Sequence, residues 1–126
     1  MKQQTRHIKI FDDIMQLYKV YINCYQNFSK GFRYTTGKAI YDELTLCMKM
    51  ISKINYLMRE GAETLQSMFL EAMASLQVIE SYLILAWELK YISHAKASEL
   101  KEKLTTIQMQ LHGWFRWYKK NYTVKN

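Results

Sequence analysis

The chain contains no proline, and apolar residues recur every three or four positions along most of its 126 residues. Four stretches keep this spacing for several turns each, which is the period of an amphipathic helix and not of a strand. The stretches are Phe11, Ile14, Tyr18, Tyr21, Tyr25, Phe28; Ile40, Leu44, Cys47, Ile51, Ile54, Met58; Leu65, Phe69, Ala72, Leu76, Ile79, Leu83, Ala86; and Ala97, Leu100, Leu104, Ile107, Leu111, Trp114, Tyr118. Three of the four glycines, at positions 31, 37 and 61, fall between stretches, where helices are expected to stop.

This pattern predicts helices near residues 9–29, 38–60, 63–92 and 95–120, with Ser93 as the N-cap of the last one. Four long helices of similar length with short connections favour an antiparallel, up-down-up-down four-helix bundle. A chain of this length is the usual size of one domain, so we assign residues 1–126 to a single all-α domain.

The net charge of +7 is unevenly distributed along the chain. Residues 1–59 carry +6, residues 60–89 carry −5 and no Lys or Arg, and residues 90–126 carry +6. One interpretation is that these are solvated helix faces that stabilise one another across the bundle. The other is that the basic faces point outward and bind phosphates, while the acidic third helix faces a neighbouring subunit.

The chain lacks the motifs of common active sites. No Glu is followed three residues later by His, as a di-metal bundle requires, and no Gly-rich phosphate loop, nucleophile elbow or HExxH motif occurs. We therefore expect no enzyme activity, no catalytic residues, no metal and no cofactor. The longest apolar run, at residues 82–87, is short for a membrane span, and two cysteines do not make a disulfide scaffold. We expect a cytoplasmic protein that does not bind membranes.

The segment from His112 to Lys120 is the most unusual part of the sequence, because it combines a glycine with several aromatic residues. A glycine inside a helix costs about 1 kcal/mol relative to alanine, so Gly113 suggests the close approach of another helix, within the bundle or from a second subunit. Phe115 and Trp117 lie off the apolar stripe, which predicts an oligomer interface at these three residues. The alternative is a loosely packed aromatic helix end.

Several cations are candidates for phosphate contacts. They lie away from the core stripe of the second helix, near the end of the third and in the last turns of the fourth: Lys38, Lys49, Lys53, Lys90, Arg116, Lys119 and Lys120. Lysines at a helix C-terminus also complement the helix dipole, which is a purely structural reason for their presence. Tyr34, Tyr118 and Tyr122 stand beside basic residues and are candidates for stacking on single-stranded bases, although core packing explains most of the ten tyrosines.

The sequence resembles a known family over about residues 10–120. The residues that carry the resemblance are the segments 69–76, 82–93 and 111–114, the last reading Leu-His-Gly-Trp, and the loop at 28–34. They are similar to the four-helix-bundle family of bacterial rRNA intervening-sequence proteins, and most to its branch of accessory variability proteins (Avd) from diversity-generating retroelements. Ser29 stands where many relatives have a proline, and Asn55 lies upstream of its position in the intervening-sequence branch.

The resemblance implies a homopentameric, barrel-like assembly that binds a reverse transcriptase together with its template RNA or DNA and assists mutagenic cDNA synthesis without catalysis. It transfers no individual binding residue. The alternative is an oligomeric structural or interaction module of the intervening-sequence type that binds no nucleic acid.

Overall fold

The computed structural model describes residues 2–61 and 64–122, with side chains from residue 9 onward. The described residues form helices joined by short turns, and they contain no strand. The helices are α1 (Lys2–Gln26), α2 (Lys30–Arg33), α3 (Thr36–Arg59), α4 (Gln66–Glu88) and α5 (His94–Tyr122). The prediction of an all-helical, bundle-like fold is confirmed. Helix α1 begins before the predicted residue 9, and α4 is shorter than the predicted helix at 63–92, running from Gln66 to Glu88, because Lys90 and Tyr91 end it. The predicted start at residue 63 itself lies outside the described residues, and the predicted loop at 28–37 contains the short helix α2.

The four long helices surround one continuous apolar core. The predicted stripes of α3 and α4 are buried throughout, and that of α5 is buried from Leu100 to Tyr118. The stripe of α1 is shifted, because Ile10 and Leu17 are buried while Phe11 and Tyr18 are only partly buried. Ile10 and Leu17 are buried in the core together with Tyr21, whose hydroxyl has a hydrogen-bond partner there, whereas the hydroxyl of Tyr18 favours the boundary with solvent.

The packing of the helices forms a ring. Helix α1 packs against α3 and α5, and α4 also packs against α3 and α5. Helices α3 and α5 therefore occupy opposite corners of the bundle, separated by α1 on one side and by α4 on the other.

The connection between α1 and α3 is held by specific contacts. The buried Tyr21 hydroxyl donates a hydrogen bond to the Gly37 carbonyl oxygen at 2.7 Å. The Arg33 guanidinium donates to the carbonyl oxygens of Gln26, the last residue of α1, and of Phe28, two residues further along the chain. Because α1 leaves carbonyl groups unpaired at its C-terminus, Arg33 acts as a cap for α1.

The connection between α4 and α5 contains a C-terminal capping motif of α4 and the N-cap of α5. Lys90 adopts a left-handed conformation with φ 66°, and the backbone N–H groups of Lys90 and Tyr91 donate to the carbonyl oxygens of Trp87 and Ala86. This is the Schellman motif that ends many helices. Ser93 Oγ then accepts a hydrogen bond from the Lys96 N–H at 3.1 Å, which confirms Ser93 as the N-cap of α5.

Candidate nucleic-acid interface

The predicted cations of α3 differ in their surroundings. Lys38 forms a salt bridge with Asp42, with its Nζ atom 3.0 Å from the nearer carboxylate oxygen. Lys49 and Lys53 are exposed, and neither forms an ion pair with another residue in the described part of the chain. One helical turn separates them, so both face the same side of α3. They are therefore the cations of α3 that are best placed to meet an external anion.

The cations near the end of α5 form a second group. Arg116, Lys119 and Lys120 are exposed, and Lys119 Nζ lies 4.7 Å from the centre of the Phe115 ring. Since α3 and α5 occupy opposite corners of the bundle, the structure does not bring this group together with Lys49 and Lys53. Lys90 stands apart from both groups, before the first residue of α5.

Of the three tyrosines considered for base stacking, only Tyr34 is exposed, with 61% of its surface accessible. The proposal for Tyr118 is wrong, because its ring is buried against Phe69 and Tyr122. The Tyr118 hydroxyl accepts a hydrogen bond from the Leu65 N–H at 2.8 Å, just before α4 begins. Tyr122 is partly buried beneath the same stack. These rings secure the contact between α4 and α5.

The placement of Phe115 off the core face is also wrong, while the oligomer interface at Gly113, Phe115 and Trp117 stays a prediction. Phe115 is 7% exposed, and its ring stacks on Phe69 of α4 at a centroid distance of 5.2 Å. Trp117 is partly buried against the core and contacts the edge of Tyr122. A Cβ atom added to Gly113 would meet only the Arg116 side chain, at 3.9 Å. Among residues 2–61 and 64–122, no neighbouring helix lies within 4 Å of this added Cβ atom, so packing inside the described bundle does not require a glycine here.

Helix α4 has an exposed apolar face that was not predicted from the sequence. Leu70, Val78, Leu85 and Leu89 are between 37% and 53% exposed, and their spacing places them on one side of the helix. The opposite side of α4 is buried in the core. The signal was present in the sequence, because α4 carries the apolar residues Leu70, Val78 and Leu85 outside its core stripe.

Helix α4 also has a property that bears on membranes. Among the described residues, it is the one helix that is long and apolar enough to cross a bilayer, although only a third of its most apolar 18-residue window is buried in the bundle. The same length and composition occur in core helices of soluble proteins. The helix carries Glu71, Glu80 and Glu88 and no Lys or Arg.

The surroundings of Cys47 and Glu80 shift the pKa values of these two side chains. Burial raises the pKa of the Cys47 thiol to about 12, so the thiol stays protonated and unreactive at neutral pH. Hydrogen bonds from Gln108 and Lys101 hold the pKa of the Glu80 carboxyl below its ordinary value. The two hydrogen bonds to Glu80 join α4 to α5.

The described residues contain no cluster of three His, Cys, Asp or Glu side chains that could hold a metal ion. Comparison of the whole sequence and structure with known proteins gives no match to a family model, to a curated protein or to a solved structure.

Proposed function

We propose that this protein is a non-catalytic nucleic-acid-binding accessory protein that works with a reverse transcriptase in a diversity-generating retroelement. The observation that carries nucleic-acid binding is the pair of exposed cations on α3, Lys49 and Lys53, which have no ion-pair partner among the described residues. Such cations displace counterions when they contact phosphates, which favours binding. The reverse transcriptase and the retroelement rest on the sequence resemblance alone.

Salt dependence of binding tests this proposal. Replacing Lys49 and Lys53 together by Gln removes two positive charges, and the slope of log affinity against log salt should fall by about two. The matched control replaces Lys9 and Lys38, which are exposed but form ion pairs with Asp13 and Asp42. Both double variants have the same net charge of +5, since each removes two cations from a chain of +7.

Fluorescence anisotropy with a labelled oligonucleotide measures the affinity at several salt concentrations. A clearly smaller slope for the Lys49/Lys53 variant than for the control supports local phosphate contacts. Equal slopes for the two variants would mean that only net charge matters. No binding at low salt would refute the proposed function.

We also propose that the four long helices run antiparallel to their neighbours in the ring. Two contacts support this arrangement. Tyr21, near the end of α1, bonds to Gly37 at the start of α3, and Leu65, just before α4, bonds to Tyr118 near the end of α5. Cross-linking with short reagents at paired helix ends tests this arrangement.

We further propose that the chain forms a homo-oligomer, a pentamer according to the resemblance, and that the exposed face of α4 takes part in it. Removing Leu70, Val78, Leu85 and Leu89 from water would stabilise the assembly at about 25 cal/mol per Å² of apolar surface. A membrane is a poorer partner, because acidic membrane surfaces repel the glutamates of α4.

Light scattering tests the assembly, and we expect a mass that is a multiple of 15.2 kDa. Replacing Leu85 by Glu should lower this mass, whereas the control Met109→Glu should not, although Met109 of α5 is 70% exposed. A monomeric wild-type protein would refute the assembly, and flotation with liposomes would favour a membrane instead. An assembly that binds no nucleic acid would support the alternative function, a structural or interaction module.

A further inference from the structure

A groove lies between α1 and α3, beside the exposed lysines of α3. Its volume is about 400 Å³, within the range of small-ligand sites. The lining residues are Phe11, Tyr18, Thr45, Met48, Lys49 and Ser52. The groove therefore combines two aromatic rings and a thioether with three hydroxyl groups, one of them the phenol of Tyr18, and one cation.

The lining side chains are held in different ways. Phe11 and Tyr18 are partly buried and pack against the core, and the Tyr18 ring contacts the Tyr41 ring at a centroid distance of 5.7 Å. Thr45, Lys49 and Ser52 are exposed. The aromatic floor is consequently fixed by the fold, while the polar rim on α3 is accessible to a ligand.

Further cations and an aromatic side chain lie on the surface of α3 beyond the groove. Lys53, Tyr56 and Arg59 are all exposed, and Tyr56 is 57% exposed. Positions 49, 53 and 56 lie on one side of an α-helix. The outer face of α3 thus alternates cations with an aromatic ring over about two turns.

We propose that this surface binds single-stranded nucleic acid, with one base in the groove and a second base on Tyr56. This inference rests on the proposed function and adds the strand type and the residues that contact bases. Aromatic rings stack on bases of any sequence, and the adjacent Lys49 and Lys53 contact the phosphates between them. In a duplex the bases are already stacked and paired, so neither the groove nor the Tyr56 ring can receive one.

The test compares two labelled single strands of about 12 nucleotides, an oligothymidine and an abasic strand with the same number of phosphates. Removal of the Tyr56 ring, in Tyr56→Ala, should weaken binding of oligothymidine by about fivefold or more and leave the abasic strand unchanged. The matched control is Trp87→Ala, because Trp87 is an aromatic residue with 42% of its surface accessible that lies on α4 and not on α3. It should change neither affinity.

A second variant tests the groove directly. Ser52→Leu places an apolar side chain at the exposed rim and narrows the groove, so it should weaken oligothymidine binding and spare the abasic strand. Circular dichroism establishes that both variants fold, which is expected because Ser52 and Tyr56 are exposed.

The outcomes separate this inference from the proposed function. If oligothymidine, the abasic strand and a duplex bind equally, and Tyr56→Ala has no effect, phosphates alone are bound and the inference is overturned while the proposed function stands. An equal loss in Trp87→Ala would also overturn it. If no strand binds at low salt, both proposals fail.

Discussion

The substitution of Gly37 by Ala is expected to destabilise the protein, although alanine normally favours a helix. A Cβ atom at this position would lie 2.9 Å from the Phe32 carbonyl oxygen and 3.2 Å from Cδ2 of Phe28. The first neighbour is backbone, so relief requires α2 to move away from the start of α3. The shift would also disturb the Gly37 carbonyl that accepts the Tyr21 hydrogen bond.

Two opposing effects determine how much Gly37→Ala changes the free energy of unfolding. Overpacking of a closely packed site costs about 1–3 kcal/mol. The higher helix propensity of alanine offsets at most about 1 kcal/mol of this cost. Because Gly37 stands in the first turn of α3, the gain in helix stability is smaller than in the middle of a helix. We therefore expect a net loss of about 1–2 kcal/mol, which lowers the melting temperature by roughly 4–8 °C.

Gly113→Ala is the matched substitution with the opposite expected sign. The new Cβ atom would meet only the Arg116 Nη2 atom, at an ordinary contact distance of 3.9 Å. Gly113 lies inside α5, so alanine should stabilise the chain by about 1 kcal/mol.

Thermal unfolding followed by far-ultraviolet circular dichroism measures both variants, and light scattering gives their masses. A Gly37→Ala variant as stable as the wild type would refute the described packing of α2 on α3. A loss of stability or of mass in Gly113→Ala would mean that a second subunit packs against Gly113, as the sequence analysis predicted.

Three further predictions concern single residues. Lys90→Gly should stabilise the protein by about 1 kcal/mol in urea unfolding, because glycine adopts the left-handed conformation without strain, whereas Lys90→Ala should not. The pKa of the Glu80 carboxyl is lower in the folded than in the unfolded protein. The ionised carboxylate therefore stabilises the fold at pH values above its unfolded-state pKa, and this stabilisation is lost as the pH falls through the folded-state pKa. Glu80→Gln should consequently make the stability depend less on pH in the acid range. A thiol reagent at neutral pH should modify the partly buried Cys24 before the buried Cys47, and modification of Cys47 in the folded protein would contradict the described core.

The period of the apolar residues was sufficient to predict the helices and most of the core. The stripe of α4, from Leu65 to Ala86, is buried at every predicted position. Helix periodicity depends only on local geometry, so it can be extracted from one sequence. The N-cap at Ser93 was predictable for the same reason, since a cap is defined by residues within one turn.

Features that depend on partner helices were not predictable in this way. Phe115 lies beside Trp114 and off the narrow stripe, but the buried face of a bundle helix is wider than that stripe and includes it. What decides its burial is Phe69 of α4, which stacks on it. The salt bridge between Lys38 and Asp42, by contrast, has the i, i+4 spacing and was open to prediction.

The distribution of charge links the proposed assembly to the proposed binding. Helix α4 holds three glutamates and no cation, so a chain of net charge +7 carries +10 outside this helix. If copies associate head to tail through the exposed face of α4, each acidic helix lies against a different, more basic face of the next copy, and the outer face of α3 stays in solvent. Each added copy then presents another Lys49 and Lys53 to the same strand, which raises avidity without any new contact, provided that the strand can span the copies. The Leu85→Glu variant should for this reason bind long single strands more weakly than the wild type does, while its affinity for a strand that reaches only one copy stays unchanged.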